Sequence, residues 1–405
     1  MKVCVIGGGA SGMMASIFLA RGGCDVVLLE KNDKLGKKIY ITGKGRCNAT
    51  NDCEINEMFS NVVRGEKYLR SALYGFTPQD TMAFFEELGL ALVVERGNRV
   101  FPLSQKSNDV IKTLQIELDR QGVDVRLGCA VREIRKSGDA FKVFTAHDKI
   151  ACDKVVVATG GVSYPSTGST GDGYNFAKSF GLDIVEPKQA LVPIIVAQNV
   201  SSMQGISLKN VTLTAYDENG KEIASEFGEM LFTQRGLSGP IALTLSSYIN
   251  RKNMVMLSLD LKPALDEITL DRRILRDFEE RKNQDIKNVT RALLPERLNS
   301  YVLKCAGINE NKKVNVITKE ERAKLLSTLK NLHFNVAGLA PFTEAIVTSG
   351  GVSVKGLKPT GECRDVEGLY FVGETVDIDA LTGGFNLQLA YATGVCAARD
   401  ILKKL

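Results

Sequence analysis

The chain opens on an apolar run, Val3 to Ile6, set directly against glycines, and a second run, Val26 to Leu29, follows some twenty residues later. Short apolar runs without alternation fit strands buried on both faces, the pattern of a parallel sheet. Between them, apolar Met13, Met14, Ile17 and Phe18 with small Ala10, Ala15 and Ala20 predict a helix to about Gly22, completing one βαβ half. Helices are predicted over 66–75, 78–88 and 107–121, the second capped by Thr77 with Pro78 at its first position. Strands are predicted near 123–127, 130–136, 141–146 and 150–158, the last returning the chain to the sheet through Lys154-Val-Val-Val-Ala-Thr-Gly-Gly161. Beyond Pro187 the pattern changes to alternation at 192–197, 210–217 and 254–260, with the turn Asp217-Glu-Asn-Gly220, which predicts an antiparallel module. From Pro263 to about Lys330 the sequence is charged and helical, so both blocks read as an insertion. Gly368 to Glu374 then restores a short apolar strand, and Gly384 to about Lys404 a final helix.

The junction of the first strand and helix carries chemistry. Residues 7–12 spell Gly-Gly-Gly-Ala-Ser-Gly, a GxGxxG turn in strand–turn–helix context. Gly7 permits the sharp turn, Gly9 lets the backbone approach a pyrophosphate, and Gly12 lets the helix pack close on the strand. Glu30, at the end of the second apolar run, is placed to accept hydrogen bonds from an adenosine ribose and to disfavour a 2′-phosphate. The unpaired N–H groups of the helix start attract the phosphates. These features predict a dinucleotide site.

Composition excludes more than it assigns. A chain of 405 residues exceeds one ordinary core and predicts two or three domains. With 44% hydrophobic and 24% charged residues and a mean hydropathy of -0.03 it reads as globular. The net charge of +5 is spread rather than blocked into tracts, which argues against a nucleic-acid partner and leaves a mild bias toward anionic substrates. Nine cysteines without metal-ligand spacing, no signal-peptide core and no apolar run near about 20 residues predict a cytoplasmic protein without disulfides, metal or membrane partner. The only two histidines, His147 and His333, lie in no motif, which makes Ser-His-Asp chemistry unexpected.

The polar, glycine-rich segment 31–51 has no sustained period, and long loops of that kind in compact domains are usually functional. A nucleotide domain split between the two chain ends is the arrangement flavoproteins use. Gly373 and Glu374 would meet the ribityl and pyrophosphate region, and Thr382-Gly-Gly-Phe-Asn-Leu-Gln388 opens a helix whose free N–H groups suit the pyrimidine edge of a reduced flavin.

Thr42-Gly-Lys-Gly-Arg-Cys-Asn48, Asn98-Arg-Val-Phe-Pro102, Ala158-Thr-Gly-Gly161 with Gly168-Ser-Thr-Gly171, Thr233-Gln-Arg-Gly-Leu-Ser-Gly-Pro240 and Gly373-Glu-Thr-Val-Asp377 with Thr382 to Gln388 carry a resemblance. The chain resembles the BaiN/RdsA-type NAD(P)/FAD-dependent oxidoreductases nearly end to end. The resemblance implies an α/β fold: a Rossmann-like FAD-binding domain of the glutathione reductase superfamily at 1–188 and 340–405. A β-barrel-like domain (189–262 and 331–339) and a small helical domain (263–330) would interrupt it. It implies that Gly7, Gly9, Gly12 and Glu30 hold the adenosine diphosphate half. Lys38, Gly43, Arg46, Cys47 and Asn48 would line the flavin, and Gly373, Glu374, Gly384, Phe385 and Asn386 would close on it. Ala10, Ser11, Lys31, Ala130, Val131, Thr159, Gly160 and Asp377 complete the implied cofactor set. Two positions depart from the family pattern: Lys44 stands where glycine is frequent, and Gln234 where many members carry histidine.

Cys47 and Cys53 have five residues between them rather than the four of the superfamily's disulfide couple, so disulfide chemistry is not expected. No second GxGxxG is present, so NAD(P)H, where used, docks transiently. The reading led by the resemblance is an NAD(P)H-linked reduction of an activated C=C, such as the enone of a 3-oxo steroid or 3-dehydro-bile acid. An oxidase of a small amine producing hydrogen peroxide, and a flavin-binding sensor without turnover, stay open. Tyr40, Thr42, Ser163, Tyr164 and Thr382 are the unranked proton-donor candidates for a small-molecule substrate.

Overall fold

In the computed structural model, which describes residues 1–405, the apolar runs become five parallel strands: β1 (Lys2–Ile6), β2 (Asp25–Leu29), β3 (Asp124–Arg126), β4 (Lys154–Val157) and β5 (Leu369–Phe371). Their order across the sheet is β5-β4-β1-β2-β3. The strand order therefore reverses beside β1, and the crevice at the carboxyl ends of β1 and β4 is the switch point where α/β sheets take ligands. Helix Ala10–Arg21 packs between sheet and final helix Phe385–Leu402, and most of their apolar residues are buried. The anticipated strand at 150–158 is two strands. Lys149–Cys152 pairs antiparallel with Ala140–Thr145, and the chain enters the main sheet only at Lys154. Asp153 marks the break: its carboxylate accepts from the Lys2 amide at 2.7 Å. The segment 31–51 contains a helical turn at Lys37–Ile41 and a tight turn at Thr42–Gly45.

The chain divides into two compact units, Met1–Gln189 with Phe342–Leu405, and Ala190–Pro341. The second holds a closed six-stranded antiparallel barrel in the order Ile194–Val196, Gly236–Ser238, Glu222–Phe232, Ser207–Tyr216, Met256–Asp260 and Leu332–Leu339. Its helices, among them Glu267–Glu280, Glu296–Cys305 and Lys319–Lys330, do not form a core of their own. Leu270, Ile274, Leu298, Val302, Leu325 and Leu329 share one apolar cluster with barrel residues Leu213, Phe232, Leu257 and Phe334. Short amphipathic helices need such a partner to bury their apolar faces.

Candidate functional site

The turn after β1 is built from close contacts only glycine allows. Gly7 has φ +107°, and a Cβ there would fall 2.4 Å from the Ala158 carbonyl oxygen. A Cβ on Gly12 would sit 1.9 Å from the Gly7 carbonyl oxygen. Gly9 differs: nothing lies within 4 Å of its missing Cβ, because that direction opens into a cleft. Helix Ala10–Arg21 starts there with no side-chain cap and no acidic residue in its first turn, so its free N–H groups face the opening.

Glu30, buried at the end of β2, accepts from the Gly8 amide at 2.7 Å and from the Asn32 amide and Nδ2 at 2.8 and 2.7 Å. A carboxylate offers about four lone-pair sites, so one is left for a sugar hydroxyl. Asn32 Nδ2 also donates to the Thr167 carbonyl at 3.0 Å, and Lys31 pairs with Asp172 at 2.6 Å. These contacts fix the wall on which the carboxylate stands.

The far wall comes from the C-terminal part of the same unit. Lys38 Nζ lies 2.5 Å from both Glu374 Oε2 and Ser163 Oγ, and Glu374 Oε1 accepts from Ser163 Oγ and the Thr348 amide at 2.8 Å each. Gly373, with φ +64°, brings this strand end against the first helix: a Cβ there would lie 2.4 Å from Ser11 Oγ. Between the walls runs a cleft that opens to solvent.

Of the anticipated cofactor residues, Gly7, Gly9, Ala10, Ser11, Glu30 and Lys31 line this cleft. So do Lys38, Val131, Thr159, Gly160, Gly373, Glu374 and Asn386. Gly12 lies behind the turn as a packing glycine, and Ala130 stays off the surface that its neighbours Cys129 and Val131 present. Arg46 lies off this lining: its guanidinium pairs with Glu95 and Gln105 and stacks 4.1 Å from the Phe101 ring centre. Asp377 is off the lining too, with both its oxygens held by Arg64 at 2.8 and 2.9 Å. Gly43, Cys47 and Asn48 lie in the turn beside Phe101, and Gly384 and Phe385 in the entry to the last helix, rather than on the lining. Asn386 orders that entry by bonding Ala380 and Leu381.

Among the proton-donor candidates only Thr42 reaches the lining, and its hydroxyl donates to the Lys38 carbonyl at 2.8 Å. Tyr40 is 57% exposed and off the lining, as are Tyr164 and Thr382. Burial, then Glu344, raises the Tyr164 hydroxyl further. Burial also pushes the Cys47 thiol up to about 12 and is the main cause lifting Cys53 to about 11, which removes both as thiolates at neutral pH. Asn32, Thr348 and Asp172 went unrecognised in the sequence, where an isolated amide, hydroxyl or carboxylate carries no spacing signal.

The residues fit a flavin dinucleotide. The open cradle at Gly9 would be filled by any larger side chain, and the Glu30 carboxylate keeps one lone-pair site for a sugar hydroxyl. A parallel sheet with this glycine-lined crevice defines an FAD-dependent oxidoreductase of Rossmann type. The family model for the HI0933-like protein Rossmann domain matches residues 1–400, and the chain belongs to that family.

Its relatives include the ribosomal RNA dihydrouridine synthase of Escherichia coli (strain K12), 30% identical over 403 residues, 98% of this chain and 97% of that one. The 3-dehydro-bile acid delta(4,6)-reductase of Clostridium scindens is 30% identical over 408 residues, 98% of each chain. The fold is shared with a 3-ketosteroid delta1-dehydrogenase from Sterolibacterium denitrificans (TM-score 0.54, 13% identity, 100% of this chain and 99% of that one). It is also shared with a 3-ketosteroid-delta4-(5alpha)-dehydrogenase from Rhodococcus jostii RHA1 (TM-score 0.51, 15% identity, 98% and 96%). No helix is long and apolar enough to cross a membrane.

Proposed function

We propose that the chain reduces a carbon–carbon double bond conjugated to a carbonyl, drawing hydride from NAD(P)H through FAD held in the cleft, with a 3-oxo steroid or 3-dehydro-bile acid as substrate class. The observation that carries this reading is the end-to-end kinship with two proteins whose names describe the same bond chemistry. One saturates a dienone; the other turns uridine, whose C5=C6 bond is conjugated to C4=O, into dihydrouridine.

Bound in the cleft, FAD supplies a hydride-carrying ring that accepts from one partner and delivers to another. The chain's own part is to bind and orient. The helix start at Ala10 and the Gly7–Gly9 turn take the pyrophosphate, and the free lone pair of Glu30 takes a ribose hydroxyl. Lys38 offsets negative charge on that side, while hydrogen bonds from Ser163 and the Thr348 amide hold the Glu374 carboxylate in place beside it. Thr42 sits at the lining as a positioning hydroxyl.

Anaerobic stopped-flow spectroscopy tests the reading. NADPH or NADH should bleach the bound flavin, and a 3-oxo-Δ4 steroid should restore the yellow colour in a single turnover. Reoxidation by no enone rejects this substrate class. A second reading, reduction of uridine in ribosomal RNA, is favoured by the relatives of that name, among them one from Haemophilus influenzae that is 29% identical, and runs against the expectation of no nucleic-acid partner. Reoxidation by ribosomal RNA but not by steroid would select it.

A further inference from the structure

Helix Glu267–Glu280 carries a second concavity, lined by Leu265, Thr269, Arg272, Arg273 and Arg276, that none of the chemistry above uses. The cations on its rim are short of counter-charge. Arg273 and Arg276 share one carboxylate, Asp277, at 3.9 and 3.3 Å, and Glu280 reaches Arg276 only at 4.0 Å. Asp271 on the same helix is taken by Arg322 at 2.9 Å. Arg273 Nε is buried without a hydrogen-bond partner, and Arg272 is exposed, with Asp266 among the carboxylates its charge reaches. Half-buried Lys262 sits close enough to Arg273 to feel it: burial first, then that guanidinium, lowers its ammonium. The neighbouring Lys330 is already neutralised by Asp260 at 2.6 Å. Three guanidinium groups thus line one concavity, with Asp277 shared between two of them and Glu280 only at the edge of reach. An oxyanion supplies the missing counter-charge.

We propose that Arg272, Arg273 and Arg276 form a phosphate-binding site. The lining holds no aromatic ring and no amide to read a base, so the site recognises the phosphate group itself, whether in an RNA backbone or in a small phosphorylated molecule. It stands independently of the flavin cleft.

The test uses the full chain and two probes, a fluorescently labelled single-stranded RNA followed by anisotropy and inorganic phosphate followed by calorimetry. Replacing Arg272 and Arg276 by alanine should weaken the binding of whichever probe the site serves about tenfold at low salt. For RNA it should also flatten the dependence of log K on log salt by roughly one unit or more. Lys304→Ala, an exposed charge on helix Glu296–Cys305 outside the pocket, should leave both unchanged. Tight RNA binding lost in the double variant identifies a polynucleotide; millimolar phosphate binding lost while RNA binds no better identifies a small phosphorylated ligand. Unchanged affinity for both probes in the double variant, or an equal loss in Lys304→Ala, overturns the site. Arg273→Ala, whose melting temperature is recorded alongside, should repeat the loss.

Discussion

Lys38 and Glu374 stand at opposite ends of the chain and meet as an ion pair, Nζ 2.5 Å from Oε2, inside the cleft. Both side chains are largely covered, at 26% and 20% exposure, so removing one partner leaves a charge that solvent only partly rescues. Lys38→Met should therefore lower FAD affinity by roughly tenfold and the melting temperature of the flavin-free protein by a few degrees. Absorbance of flavin retained after gel filtration and a thermal melt check it. A variant that keeps its flavin as tightly as the parent would mean the ammonium faces away from the cofactor.

Gly9 and Gly12 separate binding from folding. Alanine at Gly12 drives a Cβ to 1.9 Å from the Gly7 carbonyl oxygen, an overlap backbone cannot absorb cheaply, and should cost about 3 kcal/mol or more or abolish folding. Alanine at Gly9, whose φ is -84° and whose Cβ meets nothing within 4 Å, should fold with an unchanged melting temperature and still bind FAD at least tenfold more weakly. Circular dichroism melts and flavin titration distinguish the two. Equal losses of stability in both would contradict the assignment of Gly9 to the ligand side.

The contrast explains what was legible. Gly7, Gly12 and the place of Glu30 at a strand end were readable because each requirement, a positive φ, a close approach or a strand end, is local and satisfied by few residue types. The partners of Arg46 and Asp377 were not, since Glu95 and Arg64 are chosen by tertiary packing, and a conspicuous charge in a motif gives no sign of where its partner lies. Strand 150–158 read as one because both halves are apolar; only the Asp153 bond to Lys2 shows where the chain changes sheets. The helices after Pro263 looked separable because their charges dominate the pattern, while their few apolar positions complete the barrel's core.

Lys44 is held at φ +57° between Gly43 and Gly45, which are also left-handed. A side chain there costs about 1–3 kcal/mol of strain, and glycine removes it while adding roughly 0.5–1 kcal/mol of chain entropy to the unfolded state. Lys44→Gly should thus stabilise the protein by about 1 kcal/mol, seen as a melting temperature higher by roughly 2–4 °C. A lower melting temperature would show that the lysine side chain makes a compensating contact.

Glu362 gives the protein an acid limit. Burial alone would raise its carboxyl, but hydrogen bonds from Lys358, Lys404 and the Gly368 amide outweigh burial and hold it at about 2, down from 4.5. A carboxyl depressed in the folded state binds its proton more readily when unfolded. Its contribution is therefore complete above the unfolded value of 4.5 and drains away as pH falls toward about 2. Glu362→Gln should melt lower than the parent at neutral pH, because two ammonium groups lose their shared partner, with a gap that narrows steadily below pH 4.5. Melting temperatures of both proteins across that range decide it; a gap that stays constant would assign the acid sensitivity to other carboxylates.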